Sequence, residues 1–103
     1  MITEIVLIDL PAGTTRADAL AIYRTTTERW VSNPELIEKY YFFDEATHQG
    51  GGVYIWPSRE AAQRGHGPDY VAMVEAKYGS PPRFQIFDAL IHIDPAGGAV
   101  KEL

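Results

Sequence analysis

Hydrophobic and polar positions divide the chain into segments of two periods. Ile2 to Leu10 is nearly continuous in aliphatic residues, with Ile5, Val6, Leu7 and Ile8 in a row, and it stops at Pro11-Ala12-Gly13. At that length it predicts a strand buried on both faces. From Thr15 to about Ser32 the period lengthens, so that Leu20, Tyr23, Thr27 and Trp30 fall on one helical face, and Thr15 with Asp18 has capping-box spacing. The run Thr25-Thr26-Thr27 is poor helix material because β-branched side chains lose rotamer freedom there, which leaves packing of Tyr23 and Trp30 to hold the stretch. Asn33-Pro34 ends it. Leu36 to Ala46 contains Tyr40-Tyr41-Phe42-Phe43, which on a strand puts two rings on each face. Thr47 to Gly51 is turn chemistry and Gly52 to Trp56 a second strand, giving a hairpin. Ser58 caps a short helix that Gly65-His66-Gly67 interrupts. Pro68 starts a second piece with Tyr70, Val71, Val74 and Tyr78 on one face and Gly79 as its stop. Phe84 to Ile93 is the last strand, closed by Asp94-Pro95-Ala96-Gly97-Gly98.

The order is β-α-β-β-α-β, an α+β ferredoxin-like arrangement with an antiparallel sheet and a broken second helix. One domain, residues 1–98, is expected, followed by a C-terminal tail, 99–103, that is loose or docks on a partner. Helices on one face leave the other face of the sheet bare. In either register that bare face carries large apolar groups, since Tyr40 and Phe42 oppose Tyr41 and Phe43, and Tyr54 and Trp56 oppose Val53 and Ile55. A soluble monomer rarely exposes so much apolar surface, so a homodimer with its sheets packed face to face is expected.

Composition narrows the chemistry. The 103 residues include no cysteine, which excludes disulfide scaffolds, thiol nucleophiles and iron–sulfur clusters. Nine basic residues against fourteen acidic ones give a net charge of −5, contrary to a polyanion binder, so no nucleic-acid partner is expected. No apolar run approaches the roughly 20 residues that span a bilayer, and Met1-Ile2-Thr3-Glu4 has an acid where a signal peptide has basic residues. A cytoplasmic protein without a membrane partner is the expectation.

The run Gly50-Gly51-Gly52-Val53-Tyr54-Ile55-Trp56-Pro57-Ser58-Arg59-Glu60-Ala61-Ala62 resembles the YdhR-type monooxygenases of the dimeric α/β-barrel superfamily, which includes the antibiotic-biosynthesis monooxygenases. The resemblance continues through Phe84-Gln85-Ile86-Phe87-Asp88. It implies a dimer with a pocket in each subunit between sheet and helices, and cofactor-independent oxidation of a phenol-type aromatic or polycyclic molecule by O2 to a quinone. Of the residue types such enzymes use, Trp56 matches the tryptophan at the strand end, while Gly52 and Ala62 stand at the Asn and Tyr positions. The haem-degrading pattern of the superfamily finds no Asn between Ile5 and Leu10, and its Trp position falls near Gly65.

Within that frame Trp56 and His66 are the catalytic candidates. Trp56 is placed at a pocket mouth, and His66, flanked by two glycines at the helix break, has an imidazole suited to taking a phenolic proton. Gly65 and Gly67 fit a hinge as well as a helix break. Tyr23, Tyr54 and Tyr70 are the substrate-binding candidates, each offering a ring and a hydroxyl. Asp88 and His92 share a strand face about 13 Å apart, too far for a hydrogen bond. The scattered histidines make no metal site, and no cofactor is expected. Two other functions compete: a noncatalytic or stress-response barrel that holds a hydrophobic small molecule, and a lactone isomerase-like proton shuttle through His66.

Overall fold

A computed structural model describes residues 1–103. The elements are β1 (Ile2–Asp9), α1 (Arg16–Arg24), α2 (Thr27–Val31), β2 (Glu38–Asp44), β3 (Gln49–Trp56), α3 (Arg59–Gly65), α4 (Pro68–Tyr78), β4 (Arg83–Asp88), β5 (Ile91–Asp94) and β6 (Ala99–Glu102). The first four strands in the order β2-β3-β1-β4, with every pairing antiparallel, form the ferredoxin-like sheet. No helix is long and apolar enough to cross a membrane.

The threonine run has a larger effect than lowered propensity. Thr25, Thr26 and Thr27 each donate a side-chain hydroxyl to the carbonyl three residues earlier, on Ile22, Tyr23 and Arg24. Those bonds compete with the helical ladder, and the expected single helix is two, α1 and α2. Upstream, Thr15 and Asp18 form the anticipated capping box.

β1 is not buried on both faces. Ile2, Glu4, Val6 and Ile8 are buried beneath the helices while Thr3, Ile5 and Leu7 on the other face are only half-covered. The register carries that division across the sheet. Ile5 pairs with Val53, which pairs with Tyr40, and Leu7 pairs with Gly51, which pairs with Phe42. The open face is therefore apolar, with Tyr40 66% and Phe87 53% exposed.

The last strand is interrupted at Ala89-Leu90, and residues 99–103, expected as a tail, contain β6, which pairs with β5. Pro95 to Gly98 supplies the turn of this hairpin, with Gly98 at φ 66°. Every residue of β5 and β6 is exposed, including Ile91, Ile93 and Val100. The hairpin stands away from the core, consistent with a radius of gyration of 14.6 Å where a compact chain of this length has about 13 Å.

Candidate functional site

The helix-covered face carries a polar cluster in the midst of its aromatic core. Glu4 projects from β1 in the parity of Ile2, Val6 and Ile8, so a carboxylate occupies a position the strand pattern reserves for a hydrocarbon. Its Oε1 accepts a hydrogen bond from the Trp56 indole at 2.9 Å and lies 2.6 Å from His66 Nδ1. Both side chains of the Glu4–His66 pair are 2% exposed. A carboxylate has no proton to give, so Nδ1 carries the hydrogen of this bond and the neutral ring leaves Nε2 as a lone pair. That Nε2 is buried and has no partner. Burial pushes the His66 pKa below its ordinary value, against the opposing pull of Glu4, which favours the neutral ring near pH 7.

Aromatic side chains box the imidazole. Tyr54 and Tyr70 lie 4.4 Å away between ring centroids, Trp30 5.2 Å, Phe84 5.4 Å and Trp56 5.8 Å. The helix break sets this position, because His66 leaves the α3 ladder at φ −118° and ψ 44° and turns its ring inward. Gly65 before it is required sterically: a Cβ there would meet the Trp56 ring at 2.5 Å. Gly67 has no comparable constraint, its nearest such contact being 3.7 Å at a negative φ.

A small cavity of about 20 Å³, room for about one water, lies beside this cluster between sheet and helices. Tyr23, Tyr54 and Tyr70 all border it, together with Trp30, Lys39 and Tyr41. His66 and Trp56 do not; they sit behind the wall that Tyr54 and Tyr70 form. Trp56, expected at a pocket mouth, is completely buried because Gly65 lets α3 close over it. Tyr23 contributes its ring while its hydroxyl is committed to the backbone, donating to the Phe42 carbonyl and accepting from the Gly51 amide. Tyr41 stacks on Tyr23 and donates its hydroxyl to Thr26, whose own hydrogen goes to the Tyr23 carbonyl. Burial raises the Tyr70 hydroxyl to about 12 and that of Tyr54 well above its ordinary value, so both remain protonated donors.

Two functional candidates escaped the sequence reading. Glu4 was visible only as an acid near the start, although its parity with Ile2 and Val6 marks it as inward-facing. Lys39 has the parity of Tyr41 and Phe43, and its Nζ lies over the rings of Tyr41, Trp30 and Tyr54. Outside Lys39 the surface opens into a groove of about 310 Å³ that also contacts Trp30 and Tyr41. The remaining histidines are remote from this cluster: His48 accepts from the Gly13 amide in the β2–β3 turn, and His92 faces Lys101 across the exposed hairpin. Asp88 pairs with Arg59 at the surface.

No family model and no curated protein matches the sequence significantly. Solved structures do match the fold. An antibiotic biosynthesis monooxygenase superimposes with a TM-score of 0.65 at 19% identity, over 87% of this chain and 99% of its own. SnoaB, a cofactor-independent oxygenase from Streptomyces nogalater, gives 0.61 at 13% identity over 85% and 91%. A variant of MhuD with two manganese protoporphyrin IX molecules bound per active site gives 0.68 at 16% identity over 91% and 99%. At these identities the likeness establishes a shared ferredoxin-like fold.

Proposed function

We propose that the chain is a cofactor-independent monooxygenase of the antibiotic-biosynthesis type, working as a homodimer on an aromatic or polycyclic small molecule. The observation that carries this reading is the buried Glu4–His66 pair with its unpartnered Nε2. Buried nitrogens without a hydrogen bond are rare, and an imidazole oriented by a carboxylate is a general base whose accepting atom is free. Its surroundings are ring faces, which suit an aromatic substrate.

In this reaction Nε2 removes the phenolic proton, the electron-rich anion reacts with O2, and loss of water leaves a quinone. One phenol and one O2 yield one quinone and one water, so no external reductant is consumed. Glu4 holds the Nδ1 tautomer and stabilises the imidazolium that forms. Substrate reaches Nε2 when the Tyr70 ring moves from the wall; Tyr70 lies in the first turn of α4, just after the helix break. The apolar open face of the sheet supports the dimer, since a second copy would cover Ile5, Val53 and Phe42.

The test is oxygen uptake with a panel of naphthols and anthrols. Wild type is expected to consume one O2 per quinone formed, and His66→Gln to lose at least 100-fold in rate, the size of a general-base contribution. Equal rates in the two proteins would remove His66 from the chemistry. Tight binding with no uptake for any phenol would instead select a noncatalytic ligand-binding barrel, a reading favoured by the position of His66 behind the cavity wall.

A further inference from the structure

Trp30, Lys39 and Tyr41 border both the inner cavity and the outer groove, and so form the partition between them. Lys39 is the unusual member. Its Nζ lies 3.6 Å from the Tyr41 ring centroid, 4.3 Å from Trp30 and 4.5 Å from Tyr54. It takes no part in any side-chain hydrogen bond or in the four ion pairs of the protein, which use Arg59, Arg64, His66 and Arg83. The Arg29 guanidinium, also outside those pairs, lies 5.4 Å from the same Trp30 ring and 5.5 Å from Tyr70. A chain with a surplus of carboxylates thus leaves two basic side chains without a carboxylate partner beside this aromatic cavity.

This arrangement has a cost that a ligand can relieve. Ring faces attract an ammonium but replace only part of its hydration. Burial, with Arg29 nearby, pushes the Lys39 amine down to about 6. Gly52 gives the lysine stem its space, since a Cβ there would come within 3.1 Å of Lys39 Cε and 3.0 Å of the Tyr54 ring. The long stem is also the most flexible part of the partition, so its displacement towards the groove is the way the one-water cavity would widen to admit a ring.

We infer that Lys39, supported by Arg29, is the recognition group of this site, and that the ligand it selects is an aromatic molecule bearing an anionic oxygen, a carboxylate or a phenolate. The ring enters between Trp30, Tyr41 and Tyr54, and the anion meets Nζ at the partition. The inference rests on the reading that an aromatic molecule occupies this cavity, but not on turnover. Besides Arg29 on α2, the ionisable groups that face Lys39 or line the cavity with it are Tyr41 on its own strand, Tyr54 on β3, Tyr23 on α1, and Tyr70 and Tyr78 on α4, with His66 in electrostatic reach at the helix break, while Glu38 lines the groove.

Calorimetric titration with 2-naphthoate and the neutral 2-naphthamide tests the inference with ligands that cannot be oxidised as phenols. The wild type is expected to bind naphthoate at least tenfold more tightly than the amide. At pH 8 naphthoate binding should take up close to one proton, read from the difference between phosphate and Tris buffers, because the anion restores the charge on Lys39. Lys39→Met should abolish both the preference and the proton uptake, and His66→Gln should keep both. Equal affinity for the two ligands in wild type, no binding of either, or a preference retained in Lys39→Met would overturn the inference. The wild-type buffer comparison decides the matter should Lys39→Met fail to fold. Naphthoate selectivity without oxygen uptake would leave Lys39 as the recognition group and remove only the oxygenase.

Discussion

Each face of the sheet carries groups that the other would ordinarily hold. The face beneath the helices holds Glu4, His66 and Lys39 among its rings, whereas the open face presents Ile5, Leu7, Tyr40, Phe42, Val53 and Phe87. Folding alone favours the opposite arrangement, because a buried polar group costs free energy unless it is well paired and an exposed aromatic leaves its burial unrealised. On the proposed reading the two faces call for different partners: an anionic aromatic ligand for the covered face, and the apolar face of a second copy for the open one.

The most damaging way to break this contrast is Glu4→Ala. It leaves two buried donors, the Trp56 indole N–H and the His66 Nδ1–H, without an acceptor, and a loss of about 2–6 kcal/mol is expected, at roughly 1–3 kcal/mol for each unsatisfied group. Urea unfolding measures it, and a loss under 1 kcal/mol would show that the cluster relaxes or hydrates freely.

On the other face, Val53→Glu sets a carboxylate at the centre of the apolar sheet surface without touching the helices. Sedimentation velocity at micromolar concentration should show dimer for wild type and monomer for the variant, a weakening of at least 100-fold, with helical content retained. A wild type that sediments as a monomer would remove the sheet-to-sheet dimer.

A smaller effect concerns pH. The Lys39 amine titrates near 6 when folded and near 10.4 when unfolded, so the unfolded chain binds more protons throughout that interval and stability rises with pH across it. His66, also depressed, adds a loss of stability only as pH falls below about 6.5, and the raised tyrosines act only above about 10. Between pH 6.5 and 9.5 the slope therefore belongs mainly to Lys39. Thermal melts should show wild type gaining stability across that window and Lys39→Met nearly flat; parallel curves would place the charge in water.

The fold was readable because its signals are local and repeated. Alternation along β2 and β3, the Thr15–Asp18 box and the Gly65-His66-Gly67 break each act within a few residues. The site was half readable for the opposite reason. His66, Tyr54 and Tyr70 stand out by type and position, but their partner Glu4 is 62 residues from His66, and only the β1 register brings the two together. Lys39 was hidden by its aromatic neighbours, which advertise a strand and not which face the lysine takes. β6 was missed because Ala99-Val100-Lys101-Glu102 shows no alternation and is too short to separate a strand from a tail.

The glycine run at the start of β3 also bears on how this chain tolerates substitution. At Gly51 a methyl group would fall 1.8 Å from the Val6 carbonyl oxygen, and the backbone holds φ 141°; at Gly50 it would meet the Tyr23 hydroxyl at 2.2 Å. The exposed hairpin at the other end of the chain can exchange side chains freely by comparison. In a library of random variants these few atoms of missing side chain should therefore read as the most intolerant stretch of the protein.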